Sequence, residues 1–421
     1  MKNARIITAL DIGSIKICAI IAVLNEEGLL EIKSVSSVPS FGIDAGVVKD
    51  INSTAQAISN VLGDAEDKAE LPAEHIFASI SGDFINSHNV QGSNSSVGHH
   101  NEPNEITESQ IESAIANAKN QFQKFGLENS EILHTIPQFY EVDGQKDIIN
   151  PVNMSGYHLT AHLHVVLAEK AAKQNLQKAI ELAGYKPEQL VLSPVASGKA
   201  VLNRDEKNLG AILIDIGGGN TDIAVFYKGS IRVSSIIPSG GYNITKDIAV
   251  GLRTPMEYAE NLKKEDGIAV YLEEMENEYV DVKNMGEDKV ESKPKQLLTQ
   301  FVQGRLQHIL ELTYQELMEY QLLDAMAAGI IITGGTSQQK GLKILAQQIF
   351  NKPVRIGEPK IDNFVGTTGS ISSPEYSTAV GLLKFGLEKL AKHNFTKKAS
   401  LNTKSLKRTF NNLFKKIINY F

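Results

Sequence analysis

Two short stretches of this chain repeat one arrangement of residues that could hold a chain of phosphates. Residues 9–20 read ALDIGSIKICAI and residues 213–226 read LIDIGGGNTDIAVF: an apolar run, Asp-Ile-Gly, then a second apolar run, about two hundred residues apart. A bend made of Gly and Ser lets consecutive backbone N–H groups point at one anion, because no Cβ blocks the approach. The aspartate before each bend, Asp11 or Asp215, can hold Mg2+ through water, so two such bends would clamp a triphosphate from opposite sides. The plainer alternative is that Gly13 and Gly217–Gly219 are hairpin turns and nothing more. The repetition, with GGGNTD attached to its second copy, favours a ligand. A third glycine pair, in GIIITGGTSQQKGL (329–342), follows a buried strand and precedes a helix, a turn where a flat adenosine can lie against bare backbone.

These residues need elements to hold them. Arg5–Ile12 and Ile15–Leu24 read as strands around Gly13-Ser14, and residues 53–62 as a short helix opened by Ser53. From Gly82 to about His164 the texture changes. A polar run at 86–101 gives way to a helix opened by a capping box at Thr107–Gln110, then to strand-like pieces at Ile132–Val142 and Leu159–Leu167, an inserted α+β module of roughly eighty residues. Ala168–Ala183 reads as a helix stopped at Gly184. Ala211–Ala224 and Gly329–Thr333 are further strand–glycine units, and residues 256–324 read as mostly helical around a charged loop at Glu276–Lys295.

At 421 residues the chain needs more than one core, and 42% hydrophobic with 22% charged residues excludes the disordered, collagen-like and membrane-bundle classes. Cys18 is the single cysteine, and the amino terminus has no apolar core with a small-residue cleavage site, so a reducing, cytosolic setting is expected. Asp11 and Lys16 inside the apolar stretch Ile6–Leu24 argue against a membrane span there. The net charge of −7 hides an asymmetry: Lys389–Phe421 carries nine Lys or Arg and no Asp or Glu, which leaves −16 on residues 1–388.

Within that tail Leu406, Phe410, Leu413, Phe414, Ile417, Ile418 and Phe421 recur at three- and four-residue spacing, while Lys404, Lys407, Arg408, Lys415 and Lys416 take the remaining surface. The pattern predicts an amphipathic helix over 404–421, about 27 Å long, too charged to cross a bilayer and suited to lie among anionic headgroups. The polar, lysine-rich stretch 391–403 reads as a tether. A last helix docked on the acidic body and a calmodulin-like peptide site are the alternatives. His158, His162 and His164 lack the Cys or carboxylate that would complete a ligand set and are expected as ordinary sheet-surface residues; His99 and His100 lie in a polar loop.

LDIGSIK (10–16), LIDIGGGNTDIAVF, GIIITGGTSQQKGL and PEYSTAVGLL (374–383) resemble, in order and spacing, the first phosphate, second phosphate, adenosine and second connecting motifs of the actin-like ATPase superfamily. GGYNITKDIAVGLRT (240–254), AENLKKEDG (259–267), VRIGEP (354–359) and SGYHLTAHLHVV (155–166) make the chain similar to one branch of it, the bacterial cell-division family FtsA, over essentially its whole length. The resemblance implies an α/β, actin-like fold of two lobes around a cleft for ATP and Mg2+. Its parts would be a first-lobe core (1–82), an inserted small α+β subdomain (83–165), a return to the first lobe (166–199), a second-lobe core (200–240), a helical subdomain (241–324), more second-lobe core (325–373), a closing helix (374–390), a flexible linker (391–403) and an amphipathic membrane-targeting helix (404–421).

By the same resemblance Gly13, Ser14 and Lys16 would face the phosphates from one side and Gly217, Gly218, Gly219 and Asn220 from the other, with Asp11, Asp215 and Asp222 around Mg2+. Gly240 and Gly241 would lie near the sugar and phosphates, and Gly334, Gly335 and Thr336 behind the adenosine. Glu260 and Lys263 would sit by the ribose and adenine edge, unless they are only an exposed helical ion pair. Actin-like chaperones carry a glutamate before the proline of the segment that here reads LSPVASGKAV (192–201). This chain has Ser193, a poor general base, which implies weak ATPase activity at most.

The family's role implies filaments at the division site, on the inner face of the cytoplasmic membrane, held there by residues 404–421. They would tether polymers of the tubulin-like protein FtsZ through its C-terminal peptide, with Lys293, Lys295 and Arg305 as candidate contacts. Later division proteins would join through the inserted subdomain, and no nucleic acid is expected. Two other readings share the cleft: a pilus-assembly ATPase docking on an inner-membrane partner, which would not need the basic tail, and a small-molecule kinase, for which no further catalytic aspartate stands out.

Overall fold

The computed structural model describes residues 5–94, 97, 102–123, 128–271, 276–286 and 290–399. The amphipathic tail 404–421, with His99 and His100, lies outside the described residues.

Two sheets repeat one strand order. In the first lobe it is Pro187–Leu192, Ile76–Ile80, Arg5–Ile12, Lys16–Leu24 and Leu30–Pro39, with Phe364–Gly366 added at the far edge. In the second it is Val354–Ile356, Ile330–Thr333, Ala211–Ile216, Thr221–Tyr227 and Ser230–Ile237. Each lobe thus holds an antiparallel meander flanked by two strands parallel to the meander's first. The repeated Asp-Ile-Gly opens the same turn in both, closed by Gly13 N donating to Lys16 O (3.0 Å) and Gly217 N to Asn220 O (2.9 Å). Both faces of each sheet's centre are covered, which is why the central strands are apolar almost throughout. Every residue of Ala211–Ile216 is buried, Asp215 included.

The helix expected at 53–62 runs Ile51–Ala69; Asp50 caps it instead of Ser53, accepting from Asn52 N and Ser53 N, and left-handed Glu70 ends it. The helix expected at Ala168–Ala183 spans Lys170–Leu182, with Gly184 at φ 93° beyond its end. Two helices join the lobes: Ser193–Val201, and Ser377–Ala399 packed against it. One core drawn from both sheets, including Ile7, Phe77, Leu213, Ile331 and Phe385, surrounds them. Ser377–Ala399 continues through much of the stretch expected as a tether, since no Gly or Pro falls between 391 and 399.

The inserted module has its own sheet, in the order Gln145–Ile148, Ser130–Val142, Leu159–Glu169 and Ile85–Asn94. The helix Glu108–Gln123 packs on it over a separate core that includes Ile106, Ala118 and Leu163. The capping box closes as expected, with Thr107 N donating to Gln110 Oε1 (2.8 Å). His164 is not on a surface. It is 1% exposed, between Asn89 Oδ1 (2.9 Å) and Ser234 Oγ (2.8 Å), because that face of the module packs on the second-lobe strand Ser230–Ile237; burial lowers its pKa to about 4. His162 stacks on Phe139, ring centroids 4.1 Å apart.

The helical subdomain holds Gly241–Leu252, Met256–Glu265 and Lys295–Glu319. Where a charged loop is expected at Glu276–Lys295, Tyr279–Lys283 pairs antiparallel with Val290–Pro294. Buried Val280 and Val282 alternate with exposed Tyr279 and Asp281, a period of two that the high charge obscures. Gly334 leads first into a 3-10 turn, Gly335–Gln338, and the α-helix Leu342–Phe350 begins after Gly341. No described helix is long and apolar enough to cross a membrane.

Candidate functional site

The two repeated turns meet across one cleft. A Cβ on Gly218 would collide with Ile15 and one on Gly219 with Ser14, so bare backbone faces the opposite turn on the second-lobe side. A cavity of about 220 Å³ beside the turns is walled by Asp11, Gly13, Ser14, Lys16, Asp215, Gly217, Gly218, Gly219, Asn220, Asp222, Gly334 and Gly335. An adjoining cavity of about 500 Å³ is walled by Gly241, Glu260, Lys263, Gly335 and Thr336, among others. Motifs far apart in the chain therefore converge. Gly240 lines neither space: its Cβ would sit 2.7 Å from the carbonyl oxygens of Gly217 and Gly218, so glycine there lets a helix start pack against the turn. Gly241 N donates to Gly217 O (2.9 Å) and Tyr242 N to Gly218 O (2.8 Å), which pins the second-lobe turn from below. A separate cavity of about 270 Å³, where the inserted module meets the second lobe around Phe139, Phe226 and Lys207, has none of the glycine turns in its wall.

Three carboxyl groups gather on the wall of the 220 Å³ cavity. Asp11 Oδ1 accepts from Ser79 Oγ (2.8 Å), Asp222 Oδ1 from Ser81 Oγ (2.5 Å) and Asp215 Oδ2 from Thr378 Oγ1 (3.2 Å). Burial raises the pKa of all three, and their mutual repulsion adds to it for Asp215 and Asp222; Asp215 is pushed up to about 6. Among the described residues no three acidic, His or Cys side chains come together as direct metal ligands. The aspartates suit an ion that keeps its water and takes phosphate oxygens as ligands, the habit of Mg2+. Asn220 Oδ1, on the cavity wall, is buried without a hydrogen-bond partner, an orphan that a hydrated cation would satisfy.

On the wall of the 500 Å³ cavity Lys263 Nζ donates to Glu260 Oε2 (2.6 Å), Thr245 Oγ1 (2.9 Å) and Gly241 O (3.1 Å). Burial works against the Glu260 carboxylate, and Lys263 outweighs it, holding the pKa below the ordinary value. The pair is thus built into the cavity wall instead of standing free on a helix. Thr336 Oγ1 donates to Gly217 O (3.0 Å), linking the adenosine-type turn to the second phosphate-type turn.

A model of the family described as "Cell division protein FtsA" matches residues 212–381, and one of the "SHS2 domain inserted in FTSA" matches 82–167. The cell division protein FtsA of Neisseria meningitidis serogroup B is 37% identical over 384 residues, 91% of this chain and 90% of that one. The chain belongs to the FtsA family. FtsA of Pseudomonas aeruginosa is 36% identical over 92% of this chain and 91% of its own, and that of Bacillus subtilis 34% over 91% and 84%. With the fold above, this makes it an actin-like cell-division protein. Of solved structures, the PilM–PilN type IV pilus biogenesis complex matches with TM-score 0.63 at 15% identity, covering 90% of this chain and 98% of that one. MreB 5 of Spiroplasma citri bound to AMPPNP matches with TM-score 0.51 at 16%, covering 94% and 99%. Both show the fold alone.

Ser193 opens the helix Ser193–Val201 on the cavity wall of this FtsA-family chain, with Oγ 3.4 Å from Ile80 O and no carboxylate in its place. Lys293 donates to Leu252 O (2.9 Å), Lys295 pairs with Glu278 (2.8 Å), and Arg305 grips Asp247 through two bonds (2.6 and 2.9 Å), so all three candidate FtsZ contacts are engaged within their own subdomain. Sequence reasoning missed Ser79, Ser81, Thr378 and Glu375. The Ser-Ile-Ser before Gly82 is a usable signal, since residues two apart at a strand end share a side.

Proposed function

We propose that this chain binds ATP with magnesium in the cleft, turns it over weakly at most, and assembles into filaments on the inner face of the cytoplasmic membrane at the division site. Residues 404–421 hold the filaments there as a membrane-lying helix, and the filaments tether FtsZ polymers and gather later division proteins through the inserted subdomain. The observation that carries the reading is the convergence of both glycine turns and Asp11, Asp215 and Asp222 on one cavity. Backbone N–H groups of the turns would bind the phosphates; the three aspartates would hold Mg2+ through its water, and the ion would offset phosphate charge. Ser193 offers no strong base to activate water, in keeping with a nucleotide that sets conformation and polymer state more than it is consumed. Relatives matched over about nine-tenths of this chain are cell-division proteins, which favours this role over pilus assembly.

Calorimetric titration with ATP and Mg2+ tests the cleft. Saturable binding is expected in the parent and its loss in Gly218→Val, whose side chain collides with Ile15 and forces the turns apart. Undiminished affinity in that variant sinks the assignment.

A further inference from the structure

Lys16 carries the one ammonium on the wall of the phosphate-side cavity among the described residues, and it is already engaged. Its Nζ lies 2.7 Å from Glu375 Oε2 and 4.2 Å from the centroid of the Tyr376 ring. Both partners sit on the 3-10 turn Pro374–Tyr376, which opens directly into the helix Ser377–Ala399. Glu375 belongs to the walls of both cavities, so it stands where the space for phosphates joins the space for a nucleoside.

A carboxylate in that position opposes a polyanion in two ways. It occupies the lysine, and once displaced it remains a negative charge beside the ligand. Exchange is nonetheless feasible, because the Lys16 and Glu375 side chains are 27% and 39% exposed and an ion pair that open to water is weak. The exchange replaces one charge-assisted bond with another, from the ammonium to a phosphate oxygen, so no bond strength is forfeited. Burial works against the Lys16 charge, and the Glu375 bond leads the effects that together outweigh it, so the paired ammonium is held charged.

Resting on the reading of this cleft as a nucleotide site, we propose that Glu375 gates its affinity: nucleotide entry exchanges the Lys16–Glu375 pair for a Lys16–phosphate pair, and the displaced carboxylate shifts the turn at the head of the last helix. The same exchange makes the turn a reporter of occupancy, since Glu375 and Tyr376 both leave Lys16 when a phosphate takes it.

The test is a titration of the full chain, with magnesium present, by N-methylanthraniloyl ATP in the parent, Glu375→Gln, Lys16→Met and the double variant. Glu375→Gln should tighten binding by up to about fivefold, the range an exposed ion pair supports. Lys16→Met should weaken binding, and Glu375→Gln should gain less in the Lys16→Met background, where no pair remains to break. The chain has no tryptophan, so Tyr376→Trp places a single emitter on the turn, and its emission should respond to ATP more strongly with Glu375 present than in the Glu375→Gln background. Unchanged or weakened affinity in Glu375→Gln, with the parent binding, overturns the gate; so do equal gains with and without Lys16, which leave charge repulsion alone. If neither the parent nor any variant binds nucleotide, the cleft reading itself fails and the gate falls with it.

Discussion

Asp215 shows how much of the site's chemistry is set by burial. Its carboxyl is pushed up to about 6 from an ordinary 3.8, so ionising it in the folded chain is unfavourable. The unfolded chain releases that proton first. Stability from this group is therefore lost as pH rises from about 3.8 to about 6, and stays lost above. Asp215→Asn should raise the stability of metal-free protein at pH 7 by ~1–3 kcal/mol, flatten its fall between pH 4.5 and 7 relative to the parent, and weaken magnesium-dependent nucleotide binding. Urea denaturation at the two pH values checks this, and a less stable variant at pH 7 contradicts it. Asp215 and the glycine turns were legible in the sequence because a fixed chemistry goes with each residue type and the pattern occurs twice. Glu375 was not, because it joins the site only through a pairing across 359 residues, and Ser79, marked only by the Ser-Ile-Ser pattern, joins through one across 68.

At the scale of elements, the lobes are joined by the crossing of Ser193–Val201 and Ser377–Ala399. A Cβ on Gly381 would run into the backbone oxygen of Ala196, a clash that no side-chain rotation relieves. Helix propensity alone favours Gly381→Ala by about 1 kcal/mol, so the two effects oppose each other. The clash should win, since separating two packed helices costs ~1–3 kcal/mol and disturbs the core around them. Gly381→Val, with more volume and poorer propensity, should lose more. Denaturant midpoints of the two variants check the order parent, Ala, Val; an Ala variant as stable as the parent contradicts the close crossing. Strand order was readable in part, from the repeated hairpin. The pairing of Tyr279–Lys283 with Val290–Pro294 was not, because Asp281, Lys283, Glu291 and Lys293 are interspersed among few apolar residues and the stretch reads as loop. The length of Ser377–Ala399 was missed for the converse reason: a lysine-rich sequence without Gly or Pro suits an exposed helix as well as a tether.

For the whole molecule, the proposed function assigns nucleotide response to the acidic body and lipid attachment to the +9 terminal segment. One short amphipathic helix gives reversible membrane binding, because partial burial of seven apolar side chains must overcome the entropy of ordering the segment. A filament places many tails on one surface and raises apparent affinity without new contacts. Lys415→Glu with Lys416→Glu should weaken binding to anionic liposomes and flatten its salt dependence, since each basic residue near such a surface contributes about 1 kcal/mol. Phe414→Glu should release the protein altogether while ATP binding in the cleft stays intact. The joint claim of membrane and FtsZ attachment is tested most directly by pelleting FtsZ polymers with anionic liposomes, in the presence of either the full chain or residues 1–403. FtsZ should reach the liposome pellet only with the full chain and magnesium ATP; equal recovery with residues 1–403 would contradict the account.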